Sequence, residues 1–183
     1  MIDAFYPERP AAAIIEIKAM IDLRFPTALQ MVLSVALADR DGFRCTSQVL
    51  ADGLQTNPSF IRKLLVPLTQ EGIIVASVGK GGGLHLGRPA ERISLREVYR
   101  AATSEKKMFA QRENLQNRCR ISAHFNEFFE AITGEAGSAM MNALAGRSIA
   151  DSLDEILILG RAKGTAAVGP TPLVENSRRH VKA

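Results

Sequence analysis

Gly72-Ile-Ile-Val-Ala-Ser-Val-Gly-Lys-Gly-Gly-Gly-Leu-His-Leu-Gly-Arg-Pro89 is the stretch that decides how this chain folds. Residues 73–78 are apolar or small and rich in β-branched types, the composition of a strand. Residues 79–83 hold four glycines and Lys80, a tight tip, and residues 84–86 supply a returning strand. Gly72 stands where a preceding helix ends, because glycine adopts the left-handed C′ conformation at least cost. The order is helix, strand, glycine-rich tip, strand.

Upstream, Leu29, Val32, Leu33, Ala36 and Leu37 fall at helical spacing over residues 24–39. Asp39-Arg-Asp-Gly42 then reads as a turn. Thr46 or Ser47 caps a second helix running through Leu54, its hydroxyl accepting an otherwise unpaired N–H. Asn57-Pro58 opens a third, since Asn is a preferred N-cap and Pro loses no hydrogen bond at the first helical position. It runs to about Gln70, with Pro67 bending its last turn.

Downstream, Ser94 and Glu97 form a capping box, and Ile93 and Val98 a hydrophobic staple, for a fourth helix ending near Thr103. A long amphipathic helix from Ile121 carries Phe125, Phe128, Phe129, Ile132, Ala136, Ala139, Met140, Ala143 and Leu144 on one stripe. Gly134 and Gly137 within it read either as close packing at a dimer crossing or as a break into two helices. Ser148 with Asp151 starts one more capped helix through Leu159.

Three short helices followed by a hairpin make a winged helix-turn-helix. The expected fold is mainly α with a small β-hairpin, plus a long dimerisation helix. Residues 1–19 read as an N-terminal extension, with Met20 an alternative start. Residues 20–103 form the winged helix, 104–120 a loop, 121–159 the dimerisation helices, and 160–183 a disordered basic tail.

The composition, 46% hydrophobic and 23% charged, is that of a soluble globular protein. No apolar run reaches the roughly 18 residues that span a bilayer, and no secretory signal is visible. A cytoplasmic protein without a membrane partner is expected. The net charge of +4 resides in residues 161–183, so it says nothing about the folded part. A nucleic-acid surface has to be found from local charge. The two cysteines, Cys45 and Cys119, make no disulfide scaffold and have no zinc spacing.

With these elements assembled, the chain resembles the Rrf2 family of bacterial regulators, the group of IscR, NsrR and CymR. The resemblance rests on Arg24-Phe-Pro-Thr-Ala-Leu-Gln, Asn57-Pro-Ser-Phe-Ile-Arg-Lys-Leu-Leu, Gly-Lys-Gly-Gly-Gly83, Ile93-Ser-Leu-Arg-Glu-Val and Ser148-Ile-Ala-Asp-Ser-Leu. It implies a homodimer on a near-palindromic operator in double-stranded DNA, with the long helix crossing its partner's. Cluster-binding relatives place three cysteines and a further ligand ahead of the dimer helix. This chain has Cys119 there, and His124 five residues on, so no conventional Fe–S cluster and no metal are expected.

The candidate DNA-contacting residues are Arg24, Asn57, Ser59, Phe60, Arg62, Lys63, Ser77 and Lys80. Arg62 suits a guanine edge and Lys63 a phosphate. The competing readings are a solvated face for those two cations and a core position for Phe60. Many relatives carry an arginine before the wing glycines, where this chain has Ser77-Val78-Gly79. That departure predicts relaxed A·T preference at the operator flanks.

Cys119 is a redox candidate, because Arg118, Arg120 and the helix N-terminus favour a thiolate; the alternative is an inert thiol. The expected dimer interface is Phe125, Phe128, Phe129, Ile132, Met140 and Leu144. No catalytic residues are expected. His85, His124 and His180 are scattered, and Lys80 is followed by glycines and a strand rather than the Ser or Thr and helix of a nucleotide-phosphate loop. The reading is a DNA-binding regulator, a repressor responsive to a thiol or small signal. The alternative is a winged-helix module for protein contacts.

Overall fold

The apolar stripe of the first helix, α1 (Arg24–Asp41), buries Ala28, Met31, Val32, Val35 and Ala36, and the other elements gather around it. The structure, a computed structural model, describes residues 22–79, 82–104 and 119–162. The extension at 1–19, Lys80, the segment 105–118 and the tail beyond 162 lie outside the described residues.

Helix α1 runs two residues past the expected end. Asp39-Arg-Asp stays helical, and Gly42 (φ 73°) stops it by donating its N–H to the Ala38 carbonyl. The left-handed glycine sets the end rather than the polar residues before it. Helix α2 (Ser47–Gly53) is capped by Thr46, whose hydroxyl accepts from the Val49 N–H at 3.2 Å. Helix α3 (Pro58–Gln70) is capped by Asn57, whose carbonyl Oδ1 accepts from Ser59 N–H at 2.8 Å. It buries Ile61, Leu64 and Leu68 and tolerates Pro67 in its last turn.

Strands β1 (Ile74–Ala76) and β2 (Leu84–Leu86) pair antiparallel, with Ile74 opposite Leu86 and Ala76 opposite Leu84. Strand β1 is shorter than the apolar run 73–78: Ile73 is sealed in the core, and Val78 stands 99% exposed. The glycines of this region are required by close approach. A Cβ on Gly83 would lie 2.5 Å from the Cys45 carbonyl oxygen, and one on Gly87 would lie 2.2 Å from that of Gly72.

A 3₁₀ turn (Ala90–Arg92), not expected from the sequence, leads to α4 (Leu95–Thr103), where the Ser94–Glu97 capping box forms as read. Helix α5 (Arg120–Ala145) is continuous through Gly134 and Gly137, packs against α4 and buries none of its residues. At 1.5 Å per residue it is roughly 39 Å long.

The last helix, α6 (Ile149–Ala162), grouped by the sequence with the dimerisation helix, is tied to the winged-helix fold at its start. Its first two turns sit in the winged-helix core, with Ile149 and Leu153 buried beside α1. The reason is a short pairing between the two capped helix starts. Leu95 N–H donates to the Arg147 carbonyl at 3.0 Å and Ile149 N–H to that of Ile93 at 2.8 Å. Ser148 and Asp151 form the second box, with Asp151 N–H on the Ser148 hydroxyl at 3.1 Å.

Gly87→Ala is expected to destabilise the fold by about 1–3 kcal/mol, since backbone must move to admit the methyl. Urea unfolding should show a lower midpoint at unchanged slope; an unaltered midpoint would refute the close approach at the wing root.

Candidate nucleic-acid interface

Helices α2 and α3 form the helix-turn-helix, and the burial of α3 sorts its candidate residues by face. Ile61, Leu64 and Leu68 point inward, and Phe60 is half-buried against the same core. Ser59, Arg62 and Lys63 are exposed on the opposite side of the first two turns. Neither cation has an acidic partner among the described residues. Asn57 spends its side-chain oxygen on the cap, which leaves its amide N–H groups for other contacts.

In the wing, the Ser77 hydroxyl accepts from Gly83 N–H at 3.1 Å, so this side chain braces the hairpin. Ser77 N–H donates to the Gly83 carbonyl at 2.8 Å, and Gly82 N–H to that of Gly79 at 2.9 Å. Lys80, between them, lies outside the described residues. Arg24, at the start of α1, is engaged by the Asp22 carboxylate through Nε at 2.8 Å and 3.0 Å. That hydrogen bond, rather than burial, holds its pKa above the ordinary arginine value.

Two contributors escape sequence reading. Asp39, near the end of α1, receives His85 Nδ1 on one carboxylate oxygen and Leu86 N–H on the other, both at 2.7 Å. Arg44, in the α1–α2 connection, donates from Nε to the Gly82 carbonyl. These partners are separated by 38 to 47 positions, and no local pattern encodes such pairings.

Beside Asp39, a cleft of about 540 Å³ lies between α1, the wing root, the 3₁₀ turn and α6. Much of its charge is already paired within the chain: Arg88 with Glu97 at 2.7 Å, Arg40 with Asp154 at 3.9 Å, and Asp39 as above.

The two cysteines occupy opposite environments. Cys45 is 3% exposed, and its burial, aided by Asp39, pushes the thiol up to about 11. Cys119 is exposed and caps α5. Its Sγ contacts the Ser122 hydroxyl and accepts from the Ser122 N–H, both at 3.4 Å. The Ser122 hydroxyl, then the amides of Ser122 and Ile121, hold this thiol below its usual value. The helix N-terminus therefore acts as expected, while Arg120 is not among the causes and Arg118 lies outside the described residues.

Along α5 the Phe125 and Phe129 rings stack at 5.6 Å, and Phe128 and Ile132 are 62% and 48% exposed. Met140 is half-buried, and Leu144 packs partly against the core. On α6, Ile156, Ile158 and Leu159 add exposed apolar surface.

Residues 21–155 match the family described as "Rrf2: Iron-dependent Transcriptional regulator". YwnA of Bacillus subtilis, named an HTH-type transcriptional regulator, is 27% identical over 137 residues, spanning 75% of this chain and 99% of its own. Among solved structures, a transcriptional regulator from Lactobacillus plantarum gives a TM-score of 0.63 at 23% identity, over 79% of this chain and 97% of its own. CymR, described as the global cysteine regulator of B. subtilis, gives 0.55 at 16% identity over 74% and 96%. These two structures share the fold.

The family description implies iron, and the donor set here does not fit a cysteine-ligated cluster. One of the two cysteines is sealed in the core as a thiol and the other caps a helix. No three His, Cys, Asp or Glu residues gather into a metal-binding group among the described residues.

The thiol environments give a direct test. In native protein at neutral pH, iodoacetamide should label Cys119 and spare Cys45 until unfolding. The pH profile of Cys119 alkylation should move upward in Ser122→Ala, because loss of the hydroxyl returns the thiol toward its ordinary value. An unshifted profile would count against Ser122 as the cause.

Proposed function

Because the chain belongs to the Rrf2 family of transcriptional regulators, we propose that it represses transcription as a homodimer on a near-palindromic operator. The observation that carries this reading is the pair of exposed cations on α3, Arg62 and Lys63, without acidic partners among the described residues and borne on a helix-turn-helix beside a wing. Charge held free of internal pairing on a recognition helix is what phosphate and base-edge contacts require.

The homodimer is supported by α5, which carries Phe128 and Ile132 in the open without burying any residue of its own. Contiguous exposed apolar surface of this kind favours association. Two-fold pairing through α5 presents two copies of α3, the arrangement that reads repeated half-sites about one helical turn apart. No helix among the described residues is long and apolar enough to cross a membrane.

The signal acts without a cysteine-ligated cluster in this reading, and Cys119, poised toward thiolate at the start of α5, is the candidate receiver of a thiol-reactive signal. Peroxide or diamide should then change operator affinity in the wild type and leave Cys119→Ser unresponsive. Anaerobically prepared protein should lack the brown absorption of an Fe–S centre; a brown, iron-loaded preparation would overturn this part.

Sedimentation equilibrium should give twice 19.9 kDa. Phe128→Asp with Ile132→Asp should yield a folded monomer whose operator affinity is lower by roughly 100-fold or more, because bivalent engagement is lost. Monomeric wild type would refute the dimer. Sequence-indifferent, salt-insensitive behaviour toward DNA would instead favour a protein-contact module.

A further inference from the structure

Among the described residues, a cation fixed at the wing comes from outside the hairpin. The connection between α1 and α2 runs along the free edge of β2, where Leu84 N–H donates to the Cys45 carbonyl at 2.8 Å. One residue earlier, Arg44 is exposed and donates its Nε–H to the Gly82 carbonyl at the wing tip. The two backbones lie so close that a Cβ on Gly83 would sit 2.5 Å from the Cys45 oxygen and 3.5 Å from Arg44 Cγ.

Arg44 therefore has a definite position on the wing. A guanidinium has five N–H donors, and Nε–H carries one, which leaves the four on the terminal nitrogens. Arg44 has no acidic partner among the described residues. Strands β1 and β2 carry neither Lys nor Arg, and their His85 is tied to Asp39. A guanidinium anchored through Nε presents its remaining face as a planar fork suited to two oxygens of one phosphate.

We propose that Arg44 is a DNA-contacting residue of the wing: held on Gly82, it gives its terminal nitrogens to a backbone phosphate beside the groove that α3 enters. This rests on the reading that the chain binds duplex DNA. The contact positions the wing and carries no base preference of its own.

The test is a salt titration of binding to two probes: a duplex enriched by the wild type from a random-sequence library, and unselected duplex. Arg44→Gln keeps a donor for Gly82 and removes the charge. It should lower the slope of log affinity against log salt by about one, and lower affinity roughly eightfold at about 0.1 M salt, on both probes. Arg44→Lys should keep the wild-type slope. A wild-type slope in Arg44→Gln overturns the proposal whatever the affinity, since a clamp that only shapes the wing changes affinity without changing the number of ions released. Wild type that binds neither duplex in a salt-dependent way overturns the DNA-binding reading, and this proposal with it.

Discussion

A two-stranded hairpin is marginally stable by itself in water, so the wing of this protein must be held from outside. It is held by backbone lying directly on backbone. Gly83 meets the Cys45 carbonyl and Gly87 that of Gly72, at distances that leave no room for a side chain. The Leu84–Cys45 hydrogen bond ties the outer edge of β2 to the α1–α2 connection. Asp39 then binds the other end of the same strand through His85 and Leu86. The wing is thereby fixed to the end of α1, and its position relative to α3 follows from the core rather than from the hairpin.

The same core connects the wing to the long helix. Two capping boxes, Ser94–Glu97 and Ser148–Asp151, start α4 and α6 side by side, and the backbone bonds between them hold these starts together. The first two turns of α6 bury Ile149 and Leu153 against α1, a few residues from the end of α5. A structural route thus runs from α5 through α6 and the end of α1 to Asp39 and the wing root.

Residues of one type diverge according to where the fold puts them. Cys45 and Cys119 look alike in the sequence, yet burial raises one thiol and helix-terminal donors lower the other. Phe60 and Arg62 are two residues apart on α3 and fall on opposite sides of its burial boundary. Helical periodicity contains that division, because Ile61, Leu64 and Leu68 mark the buried face. The pairing of Arg24 with Asp22 is also local, whereas those of Arg44 with Gly82 and Asp39 with His85 are not.

Local chemistry in the sequence determined the element order, the caps at Asn57, Ser94 and Ser148, the glycine end of α3, and the apolar stripe of α5, and it narrowed the cap of α2 to Thr46 or Ser47. Each depends on neighbours within about four residues, the reach of a capping bond or a helical turn. Tertiary structure alone decided that the start of α6 joins the winged-helix core and that the wing glycines serve close approach. It also placed Arg44 against the Gly82 carbonyl. Except for Gly87 on Gly72, those outcomes depend on groups brought together across 38 or more positions, where periodicity carries no information and the packing of α1 does.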